Sequence, residues 1–196
     1  MRKFIQSYGL LFAIAGAVIL LDQWTKSIVL NNLAIGEFWS PWPWLMPYVR
    51  IVHWQNTGAA FGILKQFGGV FTILAIVVSI AIIIYFPRVP RNEWPLRIAL
   101  GLQLGGALGN LIDRLAIGHV TDYISVYNFA VFNVADASIT LGVAVLILGI
   151  WYKDWREKRA SVEASAETSA HGSSEDAVGD QPEIEPDRLA EESRSE

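Results

Sequence analysis

The sequence contains no cysteine, and the motifs of metal and serine chemistry are missing as well. Without cysteine the chain can have no disulfide, thiolate nucleophile, S-acylation or Cys-ligated metal. His53 and His119, the histidines outside the C-terminal tail, belong to no HExxH or other metal-binding spacing. Ser125 and Ser138 lack the GxSxG and Ser-x-x-Lys contexts of serine nucleophiles. We therefore expect no metal and no cofactor, so any chemistry must rest on oxygen and nitrogen groups.

Charge and apolarity are divided unevenly along the 196 residues. Residues 1–159 hold nearly all the large apolar side chains and more Lys and Arg than Asp and Glu, whereas residues 160–196 are rich in Ser, Glu and Ala. A composition like that of the second region cannot bury enough apolar surface to offset chain entropy. We predict a membrane domain over 1–159 and an acidic, disordered tail over 160–196. The tail is expected to be dispensable for chemistry, with a docking role as the alternative.

Four apolar stretches approach the length needed to cross about 30 Å of hydrocarbon as helices. They cover residues 8–30, 67–86, 96–114 and 132–152. The basic start of the chain and the first stretch resemble a secretory signal peptide, but the stretch is long and no small-x-small cleavage site precedes a soluble domain. An uncleaved first helix is therefore favoured. The predicted fold is an all-α membrane protein, a bundle of four transmembrane helices with a small β-containing outer loop region.

The distribution of Lys and Arg predicts the orientation of this bundle. Nine basic residues fall on one side and three on the other, so by the positive-inside rule both termini are cytoplasmic. The connections 31–66 and 115–131 then face outward. The residues on the cytoplasmic side are Arg2, Lys3, Arg88, Arg91, Arg97, Lys153, Arg156, Lys158 and Arg159, against Arg50, Lys65 and Arg114 outside.

The outer connection 31–66 is unusually aromatic. Trp39, Trp42, Trp44, Tyr48 and Trp54 suit the headgroup zone of a membrane. Within it the segment YVRIVHW is β-branched and weakly alternating, which predicts a short strand or small sheet lying on the membrane. Such an element could hold an extended peptide by strand addition.

Polar residues recur at helical spacing inside two of the apolar stretches. Asp22 and Lys26 are four apart and can pair; the pair either anchors the helix end, with Lys26 snorkelling outward, or serves a nearby site. In the third stretch Gln103, Asn110 and Arg114 form one stripe. For Asn110 and Arg114 an interhelical brace and support of catalytic carboxylates are equally compatible with the pattern.

The same third stretch contains Gly101, Gly105 and Gly109 at intervals of four. This small-xxx-small pattern lets another helix approach closely. A phosphate-binding loop is disfavoured, because no strand precedes the glycines and no Lys-Ser/Thr follows them.

Two aspartates, Asp122 and Asp136, lie at the outer ends of the last two apolar stretches, with no Lys or Arg within seven positions of either. A carboxylate at a membrane boundary is costly and usually marks a functional site. The alternative is that Asn133 or Asp136 caps the start of the last helix. Both aspartates together favour a carboxylate pair that shares a proton.

Four blocks of the sequence, in order, match one known family. They are DQWTK at Asp22–Lys26, QNTGAAFGIL at Gln55–Leu64, GGALGNLIDRLAIGHVTDYI at Gly105–Ile124, and FNVADASI at Phe132–Ile139. Over about residues 9–155 the chain resembles lipoprotein signal peptidase (signal peptidase II), an aspartic protease family of the bacterial inner membrane. The resemblance implies that the Asp pair activates a water, and that the enzyme cleaves diacylglyceryl-modified prolipoproteins just before the lipid-modified cysteine.

The resemblance also assigns roles to residues. Asp122 and Asp136 would be the catalytic dyad. Supporting or substrate-binding roles fall on Asp22, Lys26, Asn56, Asn110, Arg114 and Asn133.

Further expectations concern partners and location. Membrane lipid and prolipoproteins are the expected partners, the inhibitor globomycin is expected to bind at the dyad, no nucleic-acid partner is expected, and the monomer is expected to be functional. The active site would face the outer side of the inner membrane. Two other functions stay open on the residues alone. An ion-coupled transporter would also carry intramembrane charges, although no inverted repeat is visible, and a non-enzymatic scaffold could use the glycine face as a seam.

Overall fold

The computed structural model describes residues 2–58 and 68–176. Met1, residues 59–67 and residues 177–196 lie outside the described part, and with them Lys65, most of the block QNTGAAFGIL and the distal part of the predicted tail. The chain divides into two compact units, Met1–Ile150 and Trp151–Glu196. Asp122 and Asp136 both lie in the first unit.

Four long helices account for the four apolar stretches. They are α1 (Arg2–Asn32), α2 (Gly68–Tyr85), which runs into a 3₁₀ turn at Phe86–Arg88, α3 (Trp94–Ile117) and α4 (Val134–Asp176). Among the described residues, three segments are long and apolar enough to cross a membrane: Tyr8–Asn32, Gly68–Arg88 and Val134–Arg159. The predicted helices are confirmed, and the chain is a mostly helical membrane protein.

Helix α3 is the exception in apolarity. Its 24 residues would extend about 36 Å at 1.5 Å per residue, but glycines and polar side chains dilute its hydropathy. It buries many of these residues against neighbours, among them Arg97, Asn110 and Asp113. A helix surrounded by protein needs less apolar surface than one surrounded by lipid. The hydropathy of α3 therefore does not decide whether it spans the membrane, and its crossing stays a prediction.

Glycines let α3 approach α1 closely. A Cβ added to Gly101 would lie 2.9 Å from the Cβ of Ile14, and one added to Gly105 would lie 2.6 Å from the Cβ of Val18. Such distances leave no room for a side chain, so the predicted packing role of these glycines is confirmed.

A small antiparallel sheet connects the helices on the side of the aspartates. Its strands are β1 (Phe38–Trp39), β2 (Val49–Asn56) and β3 (Val120–Val126), in the order β1-β2-β3. The predicted strand in YVRIVHW is β2, whereas β3 was not predicted. An irregularity in β2 between Ile51 and Trp54 precedes the pairing of Trp54 with Asp122.

Helix α4 runs past residue 160, the predicted start of the tail, and ends at Asp176. Ala and Glu are frequent in this segment and are strong helix formers, so local propensity favours a helix. Just before it, Lys158 and Asp154 form an exposed ion pair of 2.8 Å one helical turn apart, which adds modest support.

Candidate active site

Asp122 lies in β3 and is only 1% exposed. Both of its carboxylate oxygens accept side-chain hydrogen bonds. Asn56, at the end of β2, donates from Nδ2 to Oδ2 at 2.8 Å. Asn133, just before α4, donates from Nδ2 to Oδ1 at 2.7 Å. The sheet and the start of α4 therefore hold this carboxylate from two sides.

Asp136 lies in the first turn of α4 and takes part in a reciprocal cap. The N–H of Asp136 donates to Oδ1 of Asn133 at 2.9 Å, and the N–H of Asn133 donates to Oδ2 of Asp136 at 3.4 Å. This is the geometry of a capping box, so the capping interpretation is confirmed for both residues. The cap occupies one oxygen only, since Oδ1 of Asp136 accepts Nδ2–H of Asn110 at 2.7 Å. Capping and a place in a polar site are therefore compatible.

Two asparagine amides link the aspartates. The Oδ1 of Asn133 accepts a backbone N–H, which directs its Nδ2 toward Asp122. The Oδ1 of Asn110 accepts the Lys26 ammonium at 3.1 Å and Nδ2–H of Asn133 at 3.1 Å, which leaves its own Nδ2 for Asp136. Because an amide has one accepting and one donating end, these partners determine both orientations. The result is a continuous hydrogen-bonded chain, Asp122–Asn133–Asn110–Asp136.

The surroundings of Asp122 favour its protonated form. Burial, and after it the charge of Asp136, raise the pKa of Asp122 to about 7, although the hydrogen bonds from Asn56 and Asn133 and the Lys26 charge act in the opposite direction. Two carboxylates with such coupling do not ionise independently. Near neutral pH one of them can carry a proton while the other is ionised, an arrangement suited to general acid–base chemistry.

Lys26 is a buried cation that contacts this network through Asn110. It is 2% exposed, and its Nζ lies 2.7 Å from Oδ2 of Asp22 and 2.9 Å from Oδ2 of Asp113. The predicted pair with Asp22 is confirmed, but outward snorkelling of Lys26 is wrong. Two carboxylates compensate for the burial of the ammonium, so it remains inside, where it also contacts Asn110.

Asp113 is the site residue that the sequence patterns did not reveal. It is 5% exposed and accepts the N–H of Thr121 at 3.0 Å as well as the Lys26 ammonium. Its position three residues after Asn110 puts the two on one helical face, which was an available signal.

Arg114 lies at the edge of the site. Its Nη1 donates to the backbone oxygen of Asn110 at 3.5 Å, and its guanidinium lies 5.8 Å from the centre of the Phe71 ring. Its charge acts electrostatically on both Asp136 and Asp122. Gln103, predicted in the same stripe, lies elsewhere: its Cγ is beside Gly142 of α4.

The donor set is poorly suited to a metal. In residues 2–58 and 68–176, no group of three or more His, Asp or Glu is placed to bind an ion. Around the aspartates, Asn56, Asn110 and Asn133 direct N–H groups at the carboxylate oxygens that a metal would need. His53 lies in β2 and is buried, with Nδ1 2.9 Å from the oxygen of Leu33.

The structure thus brings the predicted site residues together into one contiguous polar site. Its members are Asp22, Lys26, Asn56, Asn110, Arg114, Asp122, Asn133 and Asp136.

Comparisons with known proteins agree on one family. Residues 14–152 match the family model described as signal peptidase (SPase) II. The lipoprotein signal peptidase of Anoxybacillus flavithermus is 40% identical over 156 residues, which cover 78% of this chain and 91% of that protein. The lipoprotein signal peptidase of Acinetobacter baylyi is 40% identical over 153 residues, 74% of this chain and 83% of that protein.

Two solved structures share the fold. Both are bacterial membrane enzymes determined by the in meso method, at 2.3 Å and 1.9 Å resolution. The first is 34% identical with a TM-score of 0.68 and covers 74% of this chain and 90% of its own. The second is 35% identical with a TM-score of 0.65 and covers 72% and 92%.

Proposed function

The chain belongs to the signal peptidase II family, a family of membrane proteases, and we propose that it removes signal peptides from diacylglyceryl-modified prolipoproteins by aspartic catalysis. The observation that carries the aspartic mechanism is the hydrogen-bonded chain from Asp122 through Asn133 and Asn110 to Asp136. It joins two carboxylates from different elements and gives each of them neutral amide donors, with no salt-bridge partner for either among residues 2–58 and 68–176.

In the proposed reaction, one carboxylate of the pair is ionised and the other is protonated. The ionised group takes a proton from a water molecule, whose oxygen attacks the scissile carbonyl carbon. The protonated group donates a hydrogen bond to the carbonyl oxygen as negative charge develops there. When the tetrahedral intermediate collapses, a proton passes to the departing nitrogen and the C–N bond breaks. The pair returns to its starting state with one shared proton.

Substrate approach is proposed to occur from the outer leaflet of the inner membrane. The apolar helices would hold the substrate's acyl chains, and the peptide would lie extended near β2 and β3, since a helical backbone hides its carbonyls. Trp54 supports this placement because it pairs with Asp122 across the sheet and its side chain is 52% exposed. Cleavage would fall just before the lipid-modified cysteine.

The remaining features of the proposal concern organisation. Residues 1–159 would form the peptidase domain, a bundle of four spanning helices with cytoplasmic termini, which acts as a monomer in lipid. Residues 160–196 would be dispensable for cleavage. Globomycin is expected to bind at the aspartate pair.

The test is cleavage of a diacylglyceryl-modified prolipoprotein by the purified full-length chain in lipid vesicles. Asp122→Asn and Asp136→Asn are each expected to abolish measurable cleavage, because either change removes a carboxylate from the pair. Asp154→Asn is the matched control, since Asp154 lies on α4 and is exposed. It should cleave at the wild-type rate.

Retained cleavage in either pair variant would remove that aspartate from the mechanism. Ion-dependent flux through the same vesicles without cleavage would instead favour a transporter.

A further inference from the structure

We infer that Asp22, Lys26 and Asp113 together, here called the Lys26 brace, position both aspartates of the pair through the backbone. The inference rests on the proposed function, because it assigns positioning residues to that reaction. The brace lies between α1 and α3, whereas the two aspartates lie on β3 and α4.

One arm of the brace reaches Asp122. Oδ2 of Asp113 accepts the backbone N–H of Thr121 at 3.0 Å, and Thr121 directly precedes Asp122. Since consecutive Cα atoms are about 3.8 Å apart, a displacement of this N–H moves the Asp122 carboxylate with it. Thr121 itself is completely buried, so the contact is shielded from competing water.

The other arm reaches Asp136 in the same way. Oδ1 of Asp22 accepts the backbone N–H of Ala135 at 2.9 Å, and Ala135 directly precedes Asp136. This N–H belongs to the first turn of α4, where backbone donors lack helical partners. Asp22 is 0% exposed and Ala135 is 0% exposed. Each aspartate of the pair is thus preceded by a residue whose N–H is held by a carboxylate of the brace.

Lys26 couples the two arms. Its ammonium has three N–H donors, and it has three acceptors: Asp22 at 2.7 Å, Asp113 at 2.9 Å and Oδ1 of Asn110 at 3.1 Å. The third acceptor orients the Asn110 amide whose Nδ2 donates to Asp136. One buried ammonium therefore determines the separation of the two arms and the orientation of the amide between them.

Neighbouring groups leave the brace little freedom. Nε2 of Gln23 lies 3.2 Å from Asp22 and 2.9 Å from Asp113, and also donates to the oxygen of Gly109. A Cβ added to Gly109 would lie 2.8 Å from Oδ2 of Asp22. Burying three charged side chains adds little to the stability of the fold, since apolar residues of similar volume often stabilise it equally well. Precise placement of two backbone segments is what an apolar cluster could not provide.

The test compares Asp113→Ala with Tyr8→Phe in the full-length chain in lipid. Tyr8 lies on α1, about 21 Å along the helix from Asp22 at 1.5 Å per residue, and its hydroxyl donates to the backbone oxygen of Ile83 of α2 at 3.3 Å, so its loss removes an interhelical contact outside the brace. For Asp113→Ala we expect kcat to fall about 100-fold, the order of effect of a misplacement near 1 Å, with KM within about threefold of wild type. Tyr8→Phe should retain kcat within about threefold.

The pH profile separates positioning from general destabilisation. A loosened pair interacts less, so the two apparent pKa values of the kcat/KM profile should move toward each other in Asp113→Ala and stay in place in Tyr8→Phe. Wild-type kcat in Asp113→Ala, or a loss of activity with an unchanged profile, overturns the inference.

A conservative variant covers the case in which Asp113→Ala does not fold. Asp113→Asn can still accept the Thr121 N–H but offers Lys26 no charge, so we expect a smaller loss of about tenfold and the same change in profile. Wild-type kcat and profile in this variant also overturn the inference. The proposed function fails separately, by retained cleavage in Asp122→Asn or Asp136→Asn.

Discussion

Helices α2 and α3 are consecutive in the chain, but they differ in the kinds of side chain that they expose and bury. Helix α2 is almost entirely apolar, and side chains such as Ile73 and Val77 remain 64% and 56% exposed. Helix α3 is less apolar, yet it buries Asn110, Asp113 and a series of glycines. The comparison teaches that high hydropathy in this protein accompanies exposed apolar side chains, whereas the polar site is built on the helix that is covered by its neighbours.

The largest expected effect comes from breaking the polar face of α3. Asn110→Ala removes the amide between Lys26, Asn133 and Asp136, so each loses a partner. We expect the cleavage rate to fall at least about 100-fold, through misplacement of the pair. The measurement is cleavage of a lipid-modified prolipoprotein in vesicles.

The matched change on α2 is Ser79→Ala. Ser79 is also buried, but its hydroxyl has no hydrogen-bond partner among the described residues, so cleavage should stay within about twofold of wild type because no partner is lost. Equal losses in the two variants would contradict the contrast between the helices.

A smaller effect is expected from the glycines. Gly105→Ala would force a Cβ into the Cβ of Val18 and the backbone of Ala15, and overpacking of this kind costs about 1–3 kcal/mol of unfolding free energy. Gly69→Ala on α2 meets no atom of the described residues within 4 Å and should be neutral or stabilising by up to about 1 kcal/mol through helix propensity. Unfolding in detergent by a denaturant series measures both.

The smallest expected effect is on the pH dependence of the free energy of unfolding. Folded Asp122 has a pKa of about 7, whereas an unfolded aspartate has one of about 4. The folded state therefore binds more protons between these values, so the contribution of Asp122 to stability is full below about pH 4 and is lost as pH rises toward 7. Asp122→Asn should show a flatter stability curve over this window than wild type. Asp154→Asn, the same charge change on an exposed side chain, should keep the wild-type slope.

Local patterns predicted a large part of the architecture. The four helices follow from apolar length, β2 follows from the β-branched run around Ile51, and the Asp22–Lys26 pair follows from helical spacing. The glycine contacts of α3 follow from the interval of four. In each case the information lies within a few turns of one element.

The features that the sequence did not reveal depend on contacts between distant residues. Strand β3 is stabilised by pairing with β2, about seventy positions earlier in the chain. The sequence of β3 by itself therefore predicted only a connection between two helices. Asp113 accepts the backbone N–H of Thr121 and forms an ion pair with Lys26. No local sequence pattern links Asp113 to either residue. The helix over residues 160–176 was missed for another reason: its high local propensity was outweighed by the absence of apolar residues.

The central claim is that Asp122 and Asp136 act as one coupled pair, and titration of Asp122 tests it directly. In protein labelled with ¹³C-aspartate, the carboxyl signal of Asp122 should titrate near pH 7 in wild type. In Asp136→Asn it should titrate at lower pH, because the charge of Asp136 is the second cause of the raised pKa, but above the usual value for aspartate, because burial remains. The same titration curve for Asp122 in both proteins would contradict the coupling on which the proposed mechanism depends.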